Sequence, residues 1–270
     1  MIKAVLFDLD DTLLWDRRSV EEALEATCLY ASQKTGCDPV RLGDAVRREA
    51  RNLYESWGTF PFVQRIGINP FEALWGEFRD EKPEEFHLLR DFAPAYRSEV
   101  WARALKSCGV DDVLLGRELG ERFRTERRQR PYVFRETFSV LDALKTKYRL
   151  LLLTNGSPDL QKEKLAGVPE LAKYFEHVVI SGDFGEGKPS VALFRHALAL
   201  LSVAPHECVM VGDKLTTDIL GANRSGIASI WINREKVVAS GDIVPTVELP
   251  SLEPLPEMLD RWNETGVPRR

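Results

Sequence analysis

The first apolar run of the chain joins Ile2 to Ala4, Val5, Leu6 and Phe7. It is short, β-branched or aromatic in part, and free of glycine and proline, which predicts a fully buried strand. Beyond Leu14 the apolar positions change to helical spacing. Val20, Ala23, Leu24, Thr27, Cys28 and Ala31 recur together, Ser19 with Glu22 reads as a capping box, and Gly36 is placed to close the helix. Asp38-Pro39 and Asn69-Pro70 read as further helix starts with proline at the first helical position, the second running through Leu74 and Phe78. Nothing over residues 15–132 reads as a strand. From Glu136 helix and strand alternate. Strands are predicted over 149–153, 177–180, 208–211 and 227–232, with helices over 138–148, 159–164, 189–201 and 216–225. A short strand near Val247 and a helix near Glu257 complete the tail.

This βα rhythm predicts an α/β protein whose parallel sheet is covered by helices on both faces. The sheet needs its first strand, yet the whole helical stretch separates that strand from the second. The helical stretch is therefore an insertion. Residues 1–14 and 133–270 form the α/β core, and residues 15–132 form an all-helical module.

Composition narrows the classes. At 270 residues, 44% hydrophobic and 29% charged, the chain can bury a sizeable core and is not expected to be disordered. The net charge of -5 argues against nucleic acid or an anionic membrane as the main partner. Cys28, Cys37, Cys108 and Cys208 form no CxxC pair and read as free thiols of a reducing, cytoplasmic compartment. No stretch approaches the ~18 apolar residues of a membrane span, and the first apolar run is too short for a signal peptide. His87, His177, His196 and His206 are scattered, so no histidine metal motif is visible.

The chemistry lies where strands end. Asp8, Asp10 and Asp11 follow the first strand directly, with Thr12 after them. Three carboxylates there repel one another and are costly to desolvate unless a cation or proton sits among them. Later strands, or the loops after them, carry Thr154-Asn155, Lys188, and Asp213 with Asp218. In a parallel sheet these ends share one edge, where open α/β sheets place their ligands. The set is chemically complementary. Hydrolysis of a phosphomonoester needs a nucleophile in line with phosphorus and stabilisation of the equatorial oxygens. A carboxylate nucleophile can split the reaction through an aspartyl-phosphate. Its approach to a dianion calls for a hard divalent cation such as Mg²⁺ bound by oxygen ligands. A further group must protonate the leaving alcohol and then activate water.

The ordered motifs DLDDT, TNG, GKP and GDKLTTD resemble those of the haloacid dehalogenase-like (HAD) hydrolase superfamily, and the likeness covers the whole βα core. The resemblance implies a Rossmann-like sheet in strand order 5-4-1-2-3 and identifies the inserted module as a helical cap. It implies Asp8 as nucleophile and Asp10 as general acid/base, with Asp8, Asp10 (through its carbonyl) and Asp213 holding Mg²⁺. Thr154, Asn155 and Lys188 would bind the phosphate, Lys188 neutralising charge shared with Asp8. Asp218 would be a supporting carboxylate.

The stretch around residues 209–233 resembles the branch of N-acylneuraminate 9-phosphate, nucleoside-monophosphate and some phosphoserine phosphatases. The expected enzyme is thus a phosphatase acting on a small phosphorylated metabolite, as a monomer or homodimer. Phosphoserine or a sugar-acid phosphate is favoured by the arginines of the module: Arg17, Arg18, Arg47, Arg48, Arg51, Arg124, Arg127 and Arg128. The alternatives are a nucleoside-monophosphate phosphatase or a phosphomutase on the same core. Dehalogenation is disfavoured because Asp10, which a halide leaving group does not need, is present. A non-catalytic phosphate-binding regulatory module would usually have lost Asp8 or Asp10.

Overall fold

The computed structural model describes residues 1–239 and 241–268. Among them, six strands form one sheet: β1 (Ala4–Phe7), β2 (Arg149–Thr154), β3 (His177–Ile180), β4 (Cys208–Gly212), β5 (Ala228–Ile232) and β6 (Val247–Leu249). Their order is β3-β2-β1-β4-β5-β6, and every neighbouring pair is parallel. This is the expected 5-4-1-2-3 order with β6 added outside β5. The first strand is central and short, four residues buried on both faces. Ala4 and Leu6 join Leu151, Leu153, Met210 and Phe194 in one apolar cluster. Val5 and Phe7 alternate to the opposite face, where Phe7 meets the edge of Phe175 at 6.2 Å between ring centres. Phe7 lies in register with Leu152 on one side and Val211 on the other. The Asp8 N–H still donates to the Val211 carbonyl at 2.9 Å, so the acidic residue leaves the sheet with its backbone anchored.

The chain divides into two compact units. One comprises Met1–Trp15, Val133–Asn155 and Val168–Arg270; the other comprises Asp16–Tyr132 and Gly156–Gly167. The sheet belongs to the first. The second contains helices and no strand among its described residues, with Asp16–Thr35, Pro39–Glu55, Glu85–Ser107 and Val113–Arg128 as its long helices. Its boundaries differ from the sequence reading at two places: Trp15 groups with the sheet, and Gly156–Gly167 groups with the helices. The second difference has a clear physical cause. Leu160 is fully buried in the apolar cluster of the helical unit. Lys164, also buried, pairs with buried Glu72 at 2.7 Å. Asp80 accepts from the Ser157 hydroxyl at 2.8 Å and from the Asp159 N–H at 3.0 Å.

Local signals fare unevenly. Asp38 caps its helix by accepting from the Val40 N–H at 2.9 Å, and Gly36 follows Thr35 with φ of 74°. Asn69 forms a complete capping box with Glu72, but the helix it starts is only Pro70–Ala73 and does not reach Phe78. Ser19 is not a cap. Its helix begins at Asp16, and the Ser19 hydroxyl donates to the Arg130 carbonyl at 2.5 Å while accepting from Arg127. No helix of the described residues is long and apolar enough to cross a membrane.

Candidate active site

Each expected site residue sits just past a strand of the sheet-bearing unit or in the loop after it. Asp8 follows β1, Thr154 ends β2, Lys188 lies in the loop beyond the short helix Ser181–Phe184 that follows β3, and Asp213 follows β4. Asp218 stands on a wide helical turn, Leu215–Ile219, where a regular helix was expected. That turn is held by the Asp218 carboxylate itself, which accepts from the Lys214 N–H at 3.0 Å. Gly212 makes the arrangement possible, because a Cβ on it would come within 2.4 Å of the Asp218 carboxyl carbon.

Four of these side chains converge. The Lys188 ammonium donates to Asp8 Oδ1 at 2.5 Å and to the Leu153 carbonyl at 2.8 Å, and it stands 2.8 Å from Asp218 Oδ1. Oxygens of Asp8, Asp213 and Asp218 lie within 4.8 Å of one another. The Thr12 hydroxyl donates to Asp8 Oδ2 at 3.3 Å, and the Trp231 indole N–H donates to the Asp213 carbonyl at 2.7 Å. Arg234 donates to the Thr12 carbonyl at 3.2 Å and to Glu136 at 2.6 Å, so the turn after the nucleophile candidate is tied through one guanidinium to Glu136.

Burial dominates the electrostatics. It pushes the Asp8 carboxyl up to about 7; the Lys188 ammonium pulls against that rise, and the Asp218 and Asp10 carboxylates add to it. Burial likewise raises Asp213, helped by Asp8, Asp218 and Asp11. Lys188 is raised for a different reason: burial disfavours its charge, but Asp218 and Asp8 outweigh burial. Three clustered carboxylates face one ammonium. Their donor atoms are all oxygen, so the site fits a hard divalent cation that would relieve the remaining negative charge.

The other expected members are placed differently. Asp10 is half-buried beside the cluster, and its carboxylate is not among the three that approach one another. Thr154 is buried, with its hydroxyl 3.4 Å from the Asn155 carbonyl. The Asn155 side chain is engaged with the backbone of Lys188. Thr12, Trp231 and Arg234 carried no site role in the sequence reading. Only Thr12 had a signal there, as the hydroxyl four residues after Asp8.

Six of the eight arginines pair with acids. Arg18, Arg47 and Arg48 pair with Glu22, Asp44 and Glu49, and Arg124, Arg127 and Arg128 with Glu77, Asp16 and Glu163, all within the helical unit. Arg51 lies 5.9 Å from the centre of the Phe71 ring. With so much of that charge balanced inside the unit, arginine content is no argument for an acidic substrate.

Comparison with known proteins agrees with the geometry. The family model described as haloacid dehalogenase-like hydrolase matches residues 2–226. A phosphoserine phosphatase of Thermus thermophilus is 38% identical over 234 residues, which cover 86% of this chain and 89% of that protein. The N-acylneuraminate-9-phosphatase of Mus musculus is 34% identical over 180 residues, 65% of this chain and 72% of that one. Among solved structures, the magnesium-bound HAD-hydrolase YfnB of Bacillus subtilis superposes with a TM-score of 0.67 at 22% identity, covering 96% of this chain and 99% of that one. With phosphatases as its curated relatives and this site on its sheet, the protein is a phosphoric monoester hydrolase. The chain belongs to the haloacid dehalogenase-like hydrolases.

Proposed function

We propose that the protein is a Mg²⁺-dependent phosphatase of a small soluble phosphomonoester, with phosphoserine or a sugar-acid phosphate as the favoured substrate, working through a phospho-Asp8 intermediate. The observation that carries this reading is the buried Asp8 carboxylate held on the Lys188 ammonium beside Asp213 and Asp218. In it, Asp8 attacks phosphorus and the leaving oxygen departs with a proton from Asp10. Asp10 then takes a proton from water as that water attacks the phospho-Asp8, and phosphate leaves. Thr154 and Lys188 bind the phosphoryl oxygens. Asp8, Asp213 and the Asp10 carbonyl would hold Mg²⁺, with Asp218 in support. When bound, the ion supplies positive charge between two anions that otherwise repel. The favoured substrate classes follow the names of the two relatives above and not the arginines.

A panel of phosphorylated metabolites tests the reading directly. Purified protein with MgCl₂ should release inorganic phosphate from phosphoserine or a sugar-acid phosphate faster than from nucleoside monophosphates. Release from nucleoside monophosphates alone would move the assignment to that branch, and interconversion of phosphate positions without release would make it a mutase. A second expectation concerns the metal. Asp213→Ala removes one of the three clustered carboxylates, so the Mg²⁺ concentration for half-maximal activity should rise by tenfold or more. An unchanged metal titration would remove Asp213 from the ligand set.

A further inference from the structure

Lys188 is held at both ends by one strand. Its ammonium meets the Leu153 carbonyl of β2 at 2.8 Å and Asp8 at 2.5 Å. Its backbone meets the residue just past the same strand. The Lys188 N–H donates to Asn155 Oδ1 at 2.8 Å, and the Asn155 Nδ2 donates to the Lys188 carbonyl at 3.0 Å. A carboxamide presents acceptor and donor side by side, which a carboxylate or a hydroxyl does not. The loop needs such a brace, since it runs through Gly185 (φ of 93°) and Gly187. A lysine stem has four rotatable bonds, so its contacts at the tip alone leave the approach of the ammonium open, and the Asn155 contacts fix the other end of the stem.

Gly187 completes the device. A Cβ on it would come within 2.9 Å of both the Nδ2 and the Oδ1 of Asn155. The clash would fall on the far end of a side chain, so the amide would swing away while the backbone stayed. The loop and the amide are thus matched at this position.

We propose that Asn155 is a positioning residue acting through Lys188: its side chain clamps both backbone polar groups of Lys188 and so sets where the ammonium stands, and glycine at position 187 is what lets the clamp close. This deepens the phosphatase reading above and rests on it for the kinetic part of its test. It concerns the Asn155 side chain alone and leaves the expectation that residue 155 binds phosphate as it stood.

The test uses Asn155→Ala, Gly187→Ala and the double variant in the full chain, with a chromogenic phosphomonoester and saturating Mg²⁺. A displacement of about 1 Å in a catalytic group can lower the rate by about a hundredfold. Asn155→Ala should therefore lower kcat by roughly ten- to a hundredfold with KM changed by less than about threefold. Gly187→Ala should do the same. The double variant should be no worse than the poorer single, because the alanine at 187 has nothing left to strike once the amide is gone. A raised KM with kcat intact would make Asn155 a substrate contact and overturn the proposal. Multiplying effects in the double variant would overturn it too.

Amide hydrogen exchange keeps the clamp separable from the phosphatase reading. The Lys188 N–H should be protected in the parent protein and should exchange at least tenfold faster in Asn155→Ala. Equal protection in both would end the proposal even if phosphatase activity is found. Loss of protection in a protein that hydrolyses no phosphomonoester would sustain the clamp and remove the phosphatase reading instead. If Asn155→Ala fails to fold, the same exchange measurement on Gly187→Ala decides the matter.

Discussion

Asp8→Asn should leave a folded protein with less than about one hundredth of the parent turnover, since nucleophilic groups normally account for several powers of ten. The amide nearly matches the carboxylate in volume and keeps an oxygen that can accept from Lys188 at the position now bonded at 2.5 Å. It offers no anionic nucleophile. Retention of a larger fraction of the rate, measured with a phosphomonoester that the parent hydrolyses, would rule out an aspartyl-phosphate at this position. The same variant has a stability signature of known sign. Burial raises Asp8 from 3.8 to about 7 in the folded chain, so between those values the folded state binds more protons than the unfolded one. Stability contributed by this group therefore falls as pH climbs through that window. In chelator-treated protein, Asp8→Asn should melt higher than the parent at pH 7.5, and the gap should close towards pH 4. A gap that stays constant with pH would mean that Asp8 ionises in the folded protein as it does in the unfolded chain.

Lys188→Met should be the most damaging single change to the site as a whole. The ammonium is buried, and Asp8, Asp218 and the Leu153 carbonyl all lie within 2.8 Å of it. Removing the cation leaves carboxylates in a low-dielectric site without their counter-charge. Breaking a buried pair in this way typically costs about 3–5 kcal/mol. Loss of one preorganised charge at a reacting centre typically lowers turnover by about 10²–10³-fold. Urea unfolding of chelator-treated protein at pH 7.5 should show the destabilisation. At pH 5 part of it should return, because Asp8, already raised by burial, then takes up a proton. A variant as stable as the parent at both pH values would mean that the ammonium is not what balances these acids.

Much of this site is legible in the sequence because its residues sit at strand ends, and the strands are plain there. Short apolar runs closed by Asp8, Thr154-Asn155 and Gly212-Asp213 fix where the sheet edge falls, and a parallel sheet brings such ends together. What the sequence hides is side-chain partnership. Ser19 and Glu22 have the spacing of a capping box, but Asp16 begins the helix, and the Ser19 hydroxyl goes to Arg130, 111 residues away along the chain. Asn155 sits in a phosphate-loop motif, yet its amide is directed to a loop that follows the next strand. The arginines look like anion readers until their acids are found, several of them far along the chain, as for Arg127 with Asp16. Periodicity identifies the helix Pro158–Ala166 but cannot say which body of apolar residues will receive Leu160.

That last helix bears on how the protein could be taken apart. The backbone passes between the two units after Trp15, Tyr132, Asn155 and Gly167, so the helical body is assembled from two separate pieces of chain. Transplanting residues 16–132 into another scaffold would carry off a bundle missing its own Leu160 and leaving Glu72 buried without Lys164. A recombination breakpoint that respects the folded units has to move both pieces together, and the shorter one begins a single residue after the asparagine that holds Lys188.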